Sequence, residues 1–181
     1  ERTDQRFHLG LRQLVLVNEL FEAVDLAIAK LSKNKKGFFL MVEGSQVDWA
    51  GHDNDIVAAM SEMEDYDRAF QAAIEFAKQD ENTLVVATAD HSTGGFSIGA
   101  DGIYNWFAEP ILAAQRTPDF MAAEITDGAG VEETLERYID LELTEEEIAA
   151  VKKAADEGEY LDIDNAIERI FDKRSHTGWT T

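Results

Sequence analysis

The first half of the chain alternates helical hydrophobic patterns with short, continuous apolar runs. Apolar residues recur at helical spacing from Leu11 to Leu31, which predicts an amphipathic helix. Residues 38–42 (Phe-Phe-Leu-Met-Val) form a continuous apolar run, typical of a strand that is buried on both faces. A long helical pattern then runs from Ile56 to Ala77, and residues 83–89 (Thr-Leu-Val-Val-Ala-Thr-Ala) predict a second buried strand.

This order of strand, long helix and strand predicts an open α/β fold. A βαβ unit has parallel strands joined by a right-handed crossover. The helix before residue 37 would lie on one face of the same sheet. Asp53-Asn54-Asp55 provides side chains that cap helix N-termini, immediately before the long helix. The predicted fold class is therefore α/β, with an open, mostly parallel sheet and flanking helices.

Beyond Gly95 the pattern is helical and acidic. Residues 111–122 and 131–172 have helical periodicity, broken near Asp127-Gly128 and again near Glu157-Gly158. We expect an insertion or cap of short helices here. The last residues, 174–181, are rich in glycine and hydroxyl side chains and predict neither helix nor strand.

The charge of the chain restricts its partners. It carries 37 acidic and 16 basic side chains, for a formal net charge of −21. Such a surface repels nucleic acid and anionic membranes, so neither is expected as a partner. It also repels phosphate, so a phosphate-binding site would need local positive charge, most simply bound metal ions. Solubility or adaptation to high salt would also explain the acidity.

Two further features of composition restrict the chemistry. The chain contains no cysteine, which excludes disulfides and thiolate chemistry. No run of about 18 apolar residues is present to span a membrane. The apolar run at residues 14–17 is too short for the core of a signal peptide, so no signal peptide is expected in this chain.

Carboxylate and imidazole side chains follow both predicted strands. Glu43, Asp48 and His52 come after the first strand, and Asp90 and His91 come after the second. Open parallel sheets bind ligands at the carboxyl ends of their strands, so we expect these five side chains to converge. Crowded carboxylates repel one another unless a divalent cation neutralises them. Imidazole with carboxylate suits zinc, and carboxylate with water suits magnesium.

The spacing of these residues supports a metal site, although each motif alone is weak. Asp48 and His52 are four residues apart, so a helical turn would place both on one face to bind one ion. Glu43 is better suited to a harder ion. An isolated Asp-x-x-x-His pair is usually solvated or locally hydrogen-bonded, and Asp-His after a strand also fits a helix N-cap. Four nearby glycines would let the backbone approach closely: Gly44, Gly51, Gly94 and Gly95.

The two ligand-bearing segments resemble a known family. Val-Glu-Gly-Ser-Gln-Val-Asp-Trp-Ala-Gly-His at residues 42–52 and Val-Val-Ala-Thr-Ala-Asp-His at residues 85–91 are similar to the metal-ligand segments of bacterial alkaline phosphatases. The similarity extends over most of residues 30–181. It implies the C-terminal portion of an alkaline-phosphatase-like α/β domain. We expect three parts within residues 1–181: a metal-binding core at about 30–99, an acidic helical insertion at about 100–172, and the start of a final core segment at 173–181.

The resemblance implies a role for each candidate ligand. Glu43 resembles the magnesium ligand. Asp48 and His52 resemble ligands of the first zinc, which activates the attacking water. Asp90 and His91 resemble ligands of the second zinc, which holds the serine nucleophile. The implied cofactors are thus two Zn²⁺ ions and one Mg²⁺ ion, and the implied reaction is hydrolysis of phosphate monoesters through a phosphoserine intermediate.

Parts of the family's site have no match in this chain. The family's nucleophilic serine and its bridging aspartate lie in the N-terminal half, and neither Ser45 nor Ser92 matches the nucleophile. We therefore assign no catalytic residue and expect the chain to be inactive alone. The first zinc needs a third ligand, a histidine followed by Thr-Gly. His176 fits superficially, but in similar relatives a Gly-Trp-Thr-Thr segment precedes that histidine, which favours a residue beyond Thr181.

The resemblance also implies partners and location. It implies phosphate monoesters as substrates, the missing N-terminal half as a partner, a homodimer at full length, and a secreted or periplasmic protein. Two alternatives stay open. One is another member of the metal-dependent superfamily: a phosphodiesterase, a sulfatase or a cofactor-independent phosphoglycerate mutase. The other is a non-enzymatic acidic fragment that binds metal. The Glu-Gly-Ser-x-x-Asp spacing favours the monoesterase. The first 25 or so residues fit the family poorly.

Overall fold

A computed structural model describes residues 20–180 of the chain, which divides into two compact units. The first unit contains Ser61–His91 and the residues up to Val47. The second unit contains Asp48–Met60 and Ser92–Thr181. These units differ from the three parts expected from the sequence, at about 30–99, 100–172 and 173–181. The boundaries of those three parts stay a prediction.

Helices α1 (Leu20–Leu31) and α3 (Ile56–Asp80) form most of the first unit, α3 contributing its residues from Ser61 onward. Both confirm predicted helices, although residues 11–19 of the first prediction lie outside the described residues. Leu20 N–H donates to Asp65 Oδ2 at 2.7 Å, which ties the start of α1 to α3. The small core contains Val24, Ile28 and Ala69, with five partly buried residues packed against it: Leu20, Phe21, Leu40, Ala73 and Phe76.

The two apolar runs are not strands buried on both faces, and that prediction is wrong. Residues 38–42 and 83–89 have no assigned strand, and Phe39 and Leu84 are 86% and 85% exposed. Phe38 and Leu40, which alternate along the first run, do face the first unit: Leu40 packs against the core, and the ring of Phe38 lies 6.1 Å from that of Phe76. A strand buried on both faces needs cover on both, together with hydrogen-bonded neighbours. Within the first unit, helices cover only one face of the run.

The second unit is predominantly helical, as the periodicity of residues 111–122 and 131–172 predicts. Its helix α8 (Tyr160–Ser175) is central and packs against α5 (Pro118–Thr126) and α7 (Glu145–Glu157). The core is built from side chains such as Ile167 and Phe171 of α8, Met121 of α5 and Val151 of α7. Along the chain, the elements after α3 are β1 (Ser97–Ile98), α4 (Glu109–Leu112), α5 (Pro118–Thr126), α6 (Val131–Tyr138), α7 (Glu145–Glu157), α8 (Tyr160–Ser175) and β2 (Thr177–Gly178).

Local chemistry explains where these helices begin and end. Thr117 Oγ1 accepts a hydrogen bond from Phe120 N–H at 3.2 Å, and Pro118 occupies the first turn of α5, where its missing N–H costs nothing. Thr144 and Glu147 form a capping box at the start of α7. Gly158 ends α7 in the left-handed conformation that glycine adopts most easily, with φ of +82°. The predicted break near Glu157-Gly158 is thereby confirmed.

The end of the chain is more ordered than its sequence predicts. Helix α8 extends to Ser175, and β2 pairs antiparallel with β1, so that Gly178 lies opposite Ser97. We expected neither helix nor strand in residues 174–181. That prediction is wrong, because Arg174 and Ser175 belong to α8 and Thr177–Gly178 form β2. A two-residue strand is too short for an alternating pattern, and its partner lies about 80 residues away in the sequence.

No helix among residues 20–180 is both long enough and apolar enough to cross a membrane.

Candidate metal centre

Helix α2 (Ser45–Asp53) carries the first pair of predicted ligands. Asp48 Oδ2 and His52 Nε2 are 3.7 Å apart, one helical turn from each other. The prediction that both lie on one helical face is confirmed. Neither side chain is fully buried, and His52 is the more exposed of the two, so an ion can reach both from solvent. Both residues belong to the second unit.

Thr93 orients the carboxylate of Asp48. Its Oγ1 donates a hydrogen bond to Asp48 Oδ1 at 2.8 Å, while Oδ2 is the oxygen nearer His52. Thr93 also has a positive φ of +41°, which is rare for a threonine and indicates that packing or hydrogen bonding holds this conformation. Sequence reasoning did not identify Thr93. Its only signal is its position two residues after His91.

Two glycines let α2 approach the segment that carries Thr93. A Cβ on Gly94 would lie 2.4 Å from the carbonyl oxygen of Gly51 and 2.6 Å from Asn54 Oδ1, both closer than real contacts allow. A Cβ on Gly51 would lie 3.2 Å from Thr93 Cβ. The expectation that glycines permit close backbone approach here is confirmed for Gly51 and Gly94. This contact within the second unit brings Thr93 within reach of Asp48.

The second predicted pair, Asp90 and His91, lies in the first unit. Asp90 Oδ2 and His91 Nε2 are 3.6 Å apart, and both side chains are largely exposed. Glu43 belongs to the same unit and is exposed. It precedes Gly44, where an added Cβ would lie 2.6 Å from the ring of Tyr66.

The structure therefore shows two carboxylate–imidazole pairs. Within neither unit do three of the described histidine, aspartate or glutamate side chains form a group that could hold one metal ion. The assignments of Glu43, Asp48, His52, Asp90 and His91 as ligands stay predictions.

The remaining residues considered for the site have other surroundings. His176 follows α8 with φ of +59°, and its ring lies beside that of Phe107, with 5.5 Å between the ring centroids. Ser45 is the first residue of α2. The carbonyl of Ser92 accepts a hydrogen bond from Gly95 N–H at 2.8 Å, within a turn. Whether His176 or another residue is the third zinc ligand stays a prediction.

Each pair has donor types that zinc accepts, but supplies two of the three or four protein ligands that a zinc site needs. Oxygen and nitrogen ligands at the usual zinc distances in a tetrahedral site lie about 3.3 Å apart. The observed separations of 3.7 Å and 3.6 Å are a few tenths of an ångström wider, which side-chain rotation can close. An ion must also be able to reach its ligands from solvent, and all four side chains are at least partly exposed. Each pair thus matches zinc in its donor types and in part of its ligand set, and metal binding by these side chains stays a prediction.

Comparison with known proteins identifies the family. The sequence profile of the family described as alkaline phosphatase matches residues 11–181. The chain belongs to the alkaline phosphatase family. It is 70% identical over 168 residues to alkaline phosphatase 3 of Bacillus subtilis, a match that covers 91% of this chain and 36% of that protein. It is 58% identical over 155 residues to alkaline phosphatase 4 of the same organism, covering 86% of this chain and 34% of that protein.

A solved structure shows the same fold. The crystal structure of a cold-active alkaline phosphatase from a psychrophilic Shewanella sp. superposes with a TM-score of 0.85 and 35% sequence identity, covering 90% of this chain and 40% of that one. The fold is therefore alkaline-phosphatase-like, as predicted. The chain spans about a third of the length of the two Bacillus subtilis alkaline phosphatases.

Proposed function

We propose that this chain supplies zinc and magnesium ligands to a phosphate-monoester hydrolase. The supporting observation is the Asp48–His52 pair on α2, whose carboxylate Thr93 orients. That pair occurs in a member of the alkaline phosphatase family and has the oxygen and nitrogen donors that zinc accepts. Asp48 and His52 would hold one zinc ion, Asp90 and His91 a second, and Glu43 the magnesium ion.

The protein groups have defined tasks in this proposal. Bound zinc ions would stabilise charge on the attacking and leaving oxygens of the phosphate ester. Thr93 fixes one oxygen of Asp48, which leaves the other oxygen available as a ligand. His52 must be neutral to bind metal through Nε2. Since the net charge of −21 repels phosphate, local positive charge from metal ions would allow a phosphate ester to approach.

We further propose that the nucleophilic serine belongs to a part of the protein outside these 181 residues, so that the chain alone is inactive. Two observations support this. The matched relatives are about three times as long as the chain. In addition, Phe39 and Leu84 present uncovered apolar side chains from extended segments, which suits packing against further parts of a sheet. A homodimer at full length and a secreted or periplasmic location follow from the family resemblance and belong to the same proposal.

Calorimetric titration with Zn²⁺ tests the ligand assignment. We expect tight, saturable binding by the purified chain, weakened by roughly tenfold or more in Asp48→Ala and in His91→Ala, because each change removes a ligand. Asp67→Ala, which removes an exposed carboxylate of α3, is the matched control and should bind zinc as the unaltered chain does. Equal zinc affinity in Asp48→Ala and the control would contradict the assignment.

Turnover of a chromogenic phosphate monoester tests the activity. The full-length protein should hydrolyse it, and a chelator should abolish the reaction. The 181-residue chain should show no turnover above background. Chelator-sensitive turnover by the pure chain would refute the claim that the nucleophile lies elsewhere.

A further inference from the structure

The sequence contains two Asp-Gly dipeptides, and the structure places them in different surroundings. Asp101-Gly102 lies between β1 and α4, and Asp127-Gly128 follows α5 directly. Both belong to the second unit, and all four residues are exposed. An aspartate that precedes a glycine is open to a reaction with its own backbone, because glycine has no Cβ to hinder the approach of its nitrogen.

This reaction rearranges the main chain and needs only water. The backbone nitrogen of glycine forms a bond to Cγ of a protonated aspartate, and the Cγ–OH bond breaks. The released hydroxyl group and the proton of the N–H leave together as one water molecule, and the product is a cyclic succinimide. Water then opens the ring at either of its carbonyl groups. One opening restores aspartate, and the other gives isoaspartate, in which the main chain runs through Cβ and Cγ.

Hydrogen bonds hold the backbone of Asp127-Gly128. Gly128 N–H donates to the carbonyl of Ile125 at 3.0 Å, and Asp127 N–H donates to the carbonyl of Ala123 at 2.9 Å. Both bonds extend the last turn of α5, so they fix the attacking nitrogen together with the residue that it would attack. The nitrogen of Gly128 can reach the side chain of Asp127 only after its hydrogen bond breaks, which requires free energy. Folding of α5 therefore protects this dipeptide.

The turn at Asp101-Gly102 leaves the attacking nitrogen unbonded. Asp101 and Gly102 have φ of +54° and +76°, both positive as at the central positions of a type I′ turn. Ile103 N–H donates to the carbonyl of Ala100 at 2.9 Å and closes that turn. Within the part of the chain that the structure describes, neither Gly102 N–H nor the Asp101 carboxylate has a hydrogen-bond partner. Even an added Cβ on Gly102 would meet nothing within 4 Å, so no neighbouring group obstructs the reaction.

The same turn joins two segments that are bonded to the residues around the end of α8. Before the turn, Gly99 N–H donates to the carbonyl of His176 at 2.9 Å, next to the β1–β2 pair. After the turn, Phe107 N–H donates to the carbonyl of Ser175 at 2.9 Å. The length of a turn sets the register of the segments that it joins. Isoaspartate lengthens the main chain within this turn, so the two bonds lose the spacing that allows both to form.

We propose that Asp101-Gly102 is a site of spontaneous isoaspartate formation, that Asp127-Gly128 is protected from the same reaction, and that the modification loosens the β1–β2 pair. Residue types and exposure are the same at the two dipeptides. The hydrogen bond of the glycine nitrogen is what separates them.

Peptide mapping of the intact 181-residue chain tests the site. The folded chain is incubated in mildly acidic buffer, which protonates carboxyl groups, and isoaspartate in each peptide is quantified by chromatography against synthetic standards. We expect accumulation about fivefold faster at Asp101 than at Asp127, the ratio that corresponds to about 1 kcal/mol for one hydrogen bond. In urea, where α5 is unfolded, the two rates should become similar.

Three outcomes of this experiment would overturn the proposal. The first is an equal rate at Asp101 and Asp127 in the folded chain. The second is faster modification at Asp127. The third is isoaspartate that forms at Asp101 only in urea, because the turn would then protect this dipeptide as well.

Hydrogen exchange tests the effect on the strand pair. After incubation, the amides of peptides that contain Gly99 or Phe107 should exchange faster than before. Asp101→Glu keeps the carboxylate but moves it one methylene away from the succinimide geometry, so the incubated variant should keep its original exchange. Asp127→Glu is the matched control and should change as the unaltered chain does. Unchanged exchange in chains that carry isoaspartate at position 101, or an equal rise in Asp101→Glu, would show that the modification does not loosen the pair.

Discussion

Thr93 donates a hydrogen bond of 2.8 Å to Asp48, a residue 45 positions earlier in the chain. This contact fixes Oδ1 of a proposed zinc ligand, while Oδ2 lies 3.7 Å from His52. Groups that hydrogen-bond a metal ligand orient it before the ion arrives. Thr93 is therefore expected to increase zinc affinity without touching the ion.

Thr93→Val should weaken zinc binding by about tenfold, at the lower end of the usual effect of removing such a support. Valine keeps the shape of threonine but cannot donate to Asp48. Calorimetric titration measures the affinity, and circular dichroism checks that the variant is folded. The control is Thr126→Val at the end of α5, which removes a hydroxyl that donates to the carbonyl of Ala122 at 2.8 Å. A folded Thr93→Val with unchanged zinc affinity would show that the hydrogen bond does not support the site.

Gly94→Ala should destabilise the second unit by about 1 to 3 kcal/mol, the usual range for overpacking. Its Cβ would lie 2.4 Å from the backbone carbonyl oxygen of Gly51, which cannot rotate away as a side chain would. Gly130→Ala is the matched control, because an added Cβ there meets its nearest neighbour at 3.8 Å. Urea unfolding measures both variants. Equal losses of stability would contradict the claim that close approach requires glycine at position 94.

The helices and one ligand pair could be predicted because their determinants are local. Helical periodicity anticipated α1 over its described residues and helical structure within residues 111–122 and 131–172, although not the break between α4 and α5. The four-residue spacing of Asp48 and His52 placed both on one face of α2. The Asp53-Asn54-Asp55 segment was expected to cap α3, and Asp55 does so. Such signals lie within one or two helical turns of sequence, so no knowledge of the remaining fold is needed.

The remaining features depend on contacts between distant residues. The run at residues 38–42 is apolar throughout, but whether both faces are covered depends on what packs there, and Phe39 is exposed. Thr93 has no local pattern that distinguishes it from any loop threonine.

Phe39→Lys should reduce self-association of the 181-residue chain. Phe39 is 86% exposed on an extended segment, and exposed apolar segments with free edges promote association. Lysine adds a charge that discourages it. Leu112→Lys, at an exposed apolar position of α4, is the control and should have a smaller effect, because helix backbone groups are already paired. Sedimentation velocity measures the oligomers. A larger effect of Leu112→Lys would place the associating surface elsewhere.

Glu147→Gln should destabilise the second unit by about 1 to 2 kcal/mol at neutral pH, between the usual values for neutral and for charged hydrogen bonds, because the pair is partly exposed. Arg174 of α8 donates two hydrogen bonds to Glu147, from Nε at 2.7 Å and Nη2 at 2.6 Å. Thr144 N–H donates to the same carboxylate at 2.7 Å. The pair thus joins the start of α7 to α8. Glutamine retains an acceptor for Thr144 but loses the charge that Arg174 binds.

The pH dependence of this loss distinguishes the ion pair from simple packing. The hydrogen bonds from Arg174 lower the pKa of Glu147 from 4.5 to about 2. Because its pKa is lower in the folded state, the Glu147 carboxylate stabilises the folded protein. This stabilisation is complete above about pH 4.5 and disappears as the pH falls through 2. The difference between the unaltered chain and Glu147→Gln should therefore shrink over that interval in urea unfolding. Glu133→Gln, which removes an exposed partner of Arg137, should change the stability little at any pH in this interval. A loss in Glu147→Gln that stays constant down to about pH 2 would mean that the shape of the side chain, and not its charge, stabilises this junction.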